Sequence, residues 1–428
     1  MKKIIFYTIF LLPINWAFAE ALSLRQAIEM ALKNNPCIQE ATERINQAQA
    51  QTEQFRAAFS PMVNVGSSYT RTDLPMNAFG NIINQRSYRQ GIDFNRPGTV
   101  DNLGVQGGIS YNIYNGGKDK ASMEMARKQH QSKQKNKETI ESELIFAVIV
   151  AFYNIKQAEE CLKNSEGELA AFKSNLDVAE IKYKGGTLLK DEVLKWEVQI
   201  AKSTEDQIKN KHMLVIARKT LSNLLGLRNS MVTAGDDDIE FKLPTDEKRQ
   251  RAELAAFDLQ ISALEAKISS IRAERLPSIN TFANTYYNKG GKTGGNGTCW
   301  GLGVSVNLNV WDGQLVSSKI REAQAELRAA NAKKKQLELA IELENEQTRS
   351  EVSEKFERYQ VVRKMVELAE ETAQLSRKRY SEGLLLTSDL ISVEQALSDS
   401  KMRFTLAKNN KILSIARYRK SLGQKFFD

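Results

Sequence analysis

Histidine is almost missing from this chain. His130 and His212 are the only two, and both sit in charged helical stretches. That removes any histidine-built metal site and leaves little material for a nucleophilic triad. Cysteine is equally scarce. Cys37, Cys161 and Cys299 are odd in number and far apart, which fits neither a disulfide framework nor metal-ligand spacing. An enzyme is therefore not expected, and neither is a cofactor or a bound metal. Proline is rare too, with 7 in 428 residues, while 26% of residues are charged. A chain so poor in breakers and so rich in charge favours long helices. Long apolar runs are absent beyond the N-terminus. The longest, Leu144 to Tyr153 (L-I-F-A-V-I-V-A-F-Y), has ten residues, well short of the roughly 20 that a spanning helix needs. It reads as a packed helix segment.

The N-terminus carries an export signal. Lys2 and Lys3 precede an apolar stretch from Ile4 to Ile14, and Ala17-Phe18-Ala19 forms a small-x-small site, so residues 1–19 read as a signal peptide cut after Ala19. No cysteine follows the cut to take a lipid. An exported chain without a spanning helix is soluble in the periplasm, secreted, or part of an outer-membrane β-barrel. The basic balance, formally +9, comes without an aromatic–basic patch, so nucleic acid is not an expected partner.

The chain is written twice. Y-K-G-G-T-L-L-K at 183–190 answers Y-S-E-G-L-L-L-T at 380–387, an offset of 380 − 183 = 197. Tyr114 and Trp311 keep that offset, as do Gly226 and Gly423. Upstream, Pro61 and Pro277 differ by 216, so the first half carries 216 − 197 = 19 extra residues. They fall within residues 73–101, rich in Asn, Gly and Arg, which read as a long loop. After the signal peptide, the first repeat covers 20–227 and the second 251–428; residues 228–250, with Asp236-Asp237-Asp238, read as a solvated linker without calcium-loop spacing. Each repeat reads helix, strand, loop, strand, very long helix, turn, helix. The strands are expected near 61–72, 102–114, 277–288 and 300–311, the long helices near 118–183 and 314–380, and the return helices near 188–225 and 387–422. A short amphipathic helix, Leu22 to Asn34, precedes them and stops at Pro36.

The strands alternate. Trp300, Leu302, Val304, Val306, Leu308 and Val310 oppose Gly301, Gly303, Ser305, Asn307 and Asn309. An apolar face backed by small polar residues fits the wall of a water-filled barrel. Ten steps give roughly 33 Å, which at a 45° tilt rises roughly 23 Å, close to the apolar band of an outer-membrane barrel. Four strands cannot close such a barrel, because the smallest have about eight. Several chains must then share one. Each long helix would extend roughly 100 Å. Val352, Phe356, Tyr359, Val362, Val366, Ala369, Ala373 and Tyr380 step by threes and fours as a coiled-coil seam. Gly185, Gly186 and Gly383 end the long helices and reverse the chain. The leucines beyond them, Leu188, Leu189, Leu384 and Leu385, suit either a docking patch or local packing.

One tempting motif fails. G-G-K-T-G-G at 290–295 lacks the first glycine of a phosphate loop, since Tyr286 stands there, and it lies between two strands. It reads as a flexible hairpin loop.

Taken together, L-S-L-R-Q-A-I-E-M-A-L-K-N-N-P at 22–36, the junctions I-Y-N-G-G-K-D and V-W-D-G-Q with Gly116, Gly117 and Gly313, and the paired Y-x-x-G turns resemble the TolC-type outer-membrane efflux proteins over the whole mature chain. The resemblance implies an α+β, mainly α fold. Two structural repeats would each give two strands to a shared 12-stranded trimeric outer-membrane barrel, continued by a long periplasmic coiled-coil tunnel. It also implies a passive exit duct, for type I protein secretion or small-molecule efflux. The implied partners are two further copies of the chain, a periplasmic adaptor (membrane-fusion) protein, an inner-membrane ABC or proton-driven pump, and outer-membrane lipid. By the same resemblance Asp389 matches a gate carboxylate, while Ser392 replaces the next one. Tyr380 and Glu192 match positions linking the coiled coils at the closed end, and Leu385 stands where some members carry an arginine. A structural or adhesive coiled-coil envelope protein is the alternative; it accounts for the helices and leaves the strands idle.

Overall fold

A computed structural model describes residues 21–228, 231–235, 241–244 and 250–427. The signal peptide and Asp236–Asp238 lie outside the described residues. The chain divides into two units, one made of the chain up to Thr42 with Asn136–Ala252 and Leu337–Asp428, the other of Glu43–Lys135 and Glu253–Gln336.

The second unit contains a four-stranded sheet: β2 (Met62–Thr72), β3 (Val100–Asn115), β5 (Ser278–Lys289) and β6 (Asn296–Asn307), in the order β2-β3-β5-β6. All pairings are antiparallel, and β3 joins β5 across the two repeats. Register places Val63, Val65 and Tyr69 on one face with Leu103, Val105 and Ile109, and with Trp300, Leu302, Val304 and Val306. This face is bare within one chain, with Val65 78% and Trp300 75% exposed. The opposite face carries Asn64, Gly108, Asn284 and Gly301. Phe282 and Tyr286 break its polar character. Phe282 fits because it lies opposite Gly303, where a Cβ would come within 2.7 Å of the ring.

Several expectations need correcting. The fourth strand ends at Asn307, not near 311, because its partner β5 begins at Ser278 just after Pro277, which has no N–H to extend the ladder. Trp311 therefore lies beyond the strand, whereas Tyr114 stays in β3 after a bulge between Asn112 and Tyr114. Counterparts in the repeat, the two residues thus fall in different settings, one inside a strand and one past its end. The long loop at 73–101 holds a helix, α3 (Pro75–Asn84), opened by proline in its first turn. Ala78 and Ile82 bury against Val100, and Phe79 meets Phe94 edge-on at 4.3 Å.

The G-G-K-T-G-G loop is pinned, not flexible. Gly291 and Lys292 donate their N–H groups to the Asp101 carboxylate at 2.9 and 2.8 Å, and Thr293 Oγ1 donates to Gln85 Oε1 at 2.6 Å. Backbone N–H groups that suggested an anion site are filled by the chain's own carboxylate.

Also in this unit is α6 (Ala252–Ala273), with Ser270 bonded to Ser122 at 2.8 Å. The long helices α4 (Lys118–Lys184) and α7 (Leu315–Ser381) begin here and end in the other unit. At the start of α4, Gly116 has φ +72°, and a Cβ there would sit 2.6 Å from the Ala273 carbonyl. Only glycine meets both demands.

The first unit is helical. α1 (Leu24–Asn34) opens on a capping box between Ser23 and Gln26. α2 (Pro36–Ala57) begins in this unit and runs on into the second after Thr42, and α5 (Lys190–Leu224) and α8 (Thr387–Ser421) return from the turns. The Leu144–Tyr153 run of α4 is buried in this unit's main core with Leu24, Ile28, Leu221 and Phe426. The expected solvated linker is partly structural. Thr233–Ala234 (β4) pairs in parallel with Ala21–Leu22 (β1), and Val232 and Phe241 are buried. The same helix ending recurs four times: Gly186, Gly226, Gly383 and Gly423 all have positive φ, and the next N–H reaches back five residues. This is the Schellman motif, and its recurrence at an offset of 197 is the repeat expressed in backbone geometry.

Candidate functional site

The turns between α4 and α5 and between α7 and α8 close over a small core. Phe172, Ala179, Val193, Trp196, Tyr380, Leu390 and Ile391 form it, with Leu188 and Leu385 packed on its edge. The leucines beyond the glycines therefore divide. Leu188 and Leu385 pack locally, while Leu189 and Leu384 stand 72% exposed, with Leu386 also exposed.

Tyr380 is the hub. It is 2% exposed, and its ring lies edge-on to Trp196, centroids 6.2 Å apart. Trp196 Nε1 donates to the Tyr380 hydroxyl at 3.3 Å, and that hydroxyl meets Thr387 Oγ1 at 3.4 Å. Lys182 caps the ring, with Nζ 4.5 Å from its centroid, and donates to the Tyr380 carbonyl. Glu192 accepts from Lys195 at 2.5 Å and also bonds Thr387, and its carboxyl is held below the usual range, chiefly by Lys195. Thr387 thus joins Tyr380 to Glu192. Asp389 stays outside this network: it is exposed, and its carboxylate accepts from the neighbouring Ser388 at 3.4 Å.

An ion pair closes the α7–α8 hairpin, and polar bonds tie that hairpin to the α4–α5 one. Glu394 on α8 is 3% exposed and takes both Nε and, at 2.7 Å, an amino group of Arg377 on α7. Asn175 on α4 donates to the same carboxylate at 3.4 Å, and Gln395 on α8 donates to Gln199 on α5 at 2.8 Å. Further along, a polar cavity of about 250 Å3 is lined by Glu168, Ser203, Asp206 and Asn210, among others. Burial pushes the Glu168 carboxyl above its ordinary value, with Asp206 and Glu394 adding to the effect against hydrogen bonds from Ser398 and Ser203.

Trp196, Lys182, Thr387 and the Arg377–Glu394 pair were not singled out from sequence. The repeat could have pointed to part of this, since 389 − 192 = 197 makes Glu192 and Asp389 counterparts. Yet counterparts do not share environments. Tyr183, the partner of Tyr380 in the repeat, is 44% exposed.

Comparison with known proteins follows the fold. The profile of the family described as outer membrane efflux protein matches residues 27–227 and 243–424. Nodulation protein T of Rhizobium leguminosarum bv. trifolii is 19% identical over 397 residues, which is 90% of this chain and 81% of that protein. Among solved structures, the Campylobacter jejuni CmeC outer membrane channel superposes with a TM-score of 0.81 at 16% identity, over 94% of this chain and 85% of that one. The outer membrane protein VceC of Vibrio cholerae does so with a TM-score of 0.78 at 16% identity, over 94% and 96%.

Proposed function

This chain belongs to the outer membrane efflux protein family, and from that premise we propose that three copies form one passive exit duct of a tripartite export system. The observation that carries this reading is the sheet. Its outer strands, β2 and β6, have no further partner among the described residues, and its apolar face is bare. Neither an unpaired strand edge in lipid nor a large bare apolar face in water is stable. Repeating the unit resolves both, because three sheets of four strands give a closed barrel with an apolar exterior and an Asn- and Gly-rich lumen.

The helical unit supplies the periplasmic tunnel and its closed end. The network of Tyr380, Trp196, Thr387 and Glu192, with the Arg377–Glu394–Asn175 tie, holds two hairpins of one chain together. It therefore fits a lock at the periplasmic gate. Without the arginine that some relatives carry at position 385, the tie moves to Arg377. Asp389, exposed near the turn, is free to face the pore. The exposed Leu189, Leu384 and Leu386 beside Gly185, Gly186 and Gly383 suit docking by a periplasmic adaptor that couples the duct to an inner-membrane pump. The adhesive coiled-coil alternative gives the sheet no role.

Deleting the gene should abolish export of the cognate substrate, with the protein recovered in the outer-membrane fraction of wild-type cells. Intact export, or a soluble protein, would refute the reading.

A further inference from the structure

The duct reading gives no role to a basic cleft below the sheet. An open cleft of about 660 Å3 lies between the end of α6 and the first turns of α7, lined by Arg272, Arg275 and Arg321 with Ser269, Ser317 and Leu276. The lysines beside it are already neutralised. Glu274 accepts from Lys118 at 2.9 Å and from Lys319 at 3.0 Å, and its carboxyl is held below the usual range, first by Lys118 and then by Lys319. The three arginines have no such partner. Among the described residues Arg275 donates to Ser317 at 2.8 Å and Arg321 to Ser318 at 3.0 Å. No carboxylate pairs with any of the three among the described residues. The cleft's lining thus holds three arginines and no acidic residue.

Planar guanidinium forks beside free hydroxyls are the chemistry that grips a phosphate. The surroundings decide which phosphate. Leu276 opens into the cleft two residues before β5 begins. In the chain segment that leads from the end of β6 to Ser317, Leu308, Val310, Trp311 and Leu315 are all exposed, Trp311 by 77%. Exposed aromatic and aliphatic side chains at the end of a barrel strand mark the lipid–water boundary. A free phosphate would use the arginines and leave this apolar margin idle; a phospholipid uses both.

We propose that the cleft binds the phosphodiester headgroup of an anionic phospholipid from the periplasmic leaflet of the outer membrane. Arg272, Arg275 and Arg321 would engage the phosphate, and Leu276 and Trp311 would flank the acyl chains. The proposal rests on the membrane placement of the sheet argued above. It adds a specific lipid contact where the wall of the duct turns into its tunnel.

Native mass spectrometry of the detergent-purified full chain, titrated with palmitoyl-oleoyl phosphatidylglycerol, tests it. The number of chains in the particle reports on the duct reading, and lipid retained per chain reports on this site, so the two can fail separately. Replacing all three arginines by glutamine should weaken retention at least about tenfold, whereas lysine, which keeps the charge and loses the fork, should weaken it less. Should the triple glutamine variant not fold, Arg272→Gln alone, which removes a side chain without a polar partner among the described residues, should weaken retention about fivefold. Unchanged retention in the folded glutamine variants overturns the proposal. So does displacement of the lipid by millimolar inorganic phosphate, which would mark a free-anion site. Loss of the three-chain particle in the glutamine variant, with no lipid retained by the wild type, would also overturn it and assign the arginines to a contact between copies.

Discussion

Replacing Arg377 with alanine should loosen the hairpin ends while leaving the rest of the helical unit intact. The substitution strands the Glu394 carboxylate, which is 3% exposed, with Asn175 at 3.4 Å as its remaining donor among the described residues. Breaking a buried ion pair typically costs about 3–5 kcal/mol. Arg377 itself is 43% exposed, so water can reach the carboxylate once the guanidinium is gone, and the pair is partly screened already. A cost of about 2–3 kcal/mol is the reasoned value. If it falls on local opening of the hairpins, amide hydrogen exchange there should accelerate by roughly 30- to 150-fold. The amides to follow lie in residues 170–200 and 375–400, and those around Val148–Phe152, in the separate main core, provide the internal control. Restoring charge balance with Arg377→Met and Glu394→Leu together should recover most of the protection, since an apolar pair of similar volume needs no counter-ion. Equal exchange in wild type and Arg377→Ala would refute the reasoning. So would a double variant as labile as the single one.

Other perturbations follow from the same geometry. Glu168→Gln should raise the melting temperature at neutral pH, because the half-buried carboxyl is pushed above its ordinary 4.5 and its charged form is costly. The gain should shrink as pH falls through the folded value toward 4.5, where the folded protein takes up the proton first and the cost disappears; a gain that grows on acidification would contradict this. Tyr380→Phe removes the hydroxyl shared by Trp196 and Thr387 and should destabilise the hairpin ends by about 1–2 kcal/mol in a chemical denaturation series. Gly116→Ala should prevent accumulation of folded protein in the outer membrane, since a Cβ would clash with the Ala273 carbonyl at 2.6 Å. Gly117→Ala, also at positive φ but with nothing within 4 Å, should cost only about 1–2 kcal/mol and still accumulate.

The features legible in the sequence are those written as periodicity. Alternation marked the strands, the three-and-four stripe marked the long helices, and glycine past each helix end gave the reversals at Gly186 and Gly383. The 197-residue offset made each half support the other. What stayed hidden depended on partners distant in the chain. The end of β6 was set by Pro277 on its neighbour, not by its own alternation, which continues to Val310. The G-G-K-T-G-G loop looked free because Asp101, which pins it, lies 190 residues away. At the hairpin ends, Tyr380 and Glu192 came from family resemblance. Trp196, which donates to Tyr380, sits in a return helix of mixed charge where nothing local marks it as buried. The repeat misled in one respect, because Tyr183 and Tyr380 match in sequence and differ in burial.

Counting the chains in the particle extracted from the outer membrane tests the central claim most directly. Each chain brings four strands with two unpaired edges, so the sheet becomes a barrel only by association. Native mass spectrometry should find three chains and no stable smaller species in a detergent that preserves the barrel. A stable monomer or dimer, carrying four or eight of these strands, would contradict the shared barrel and with it the duct.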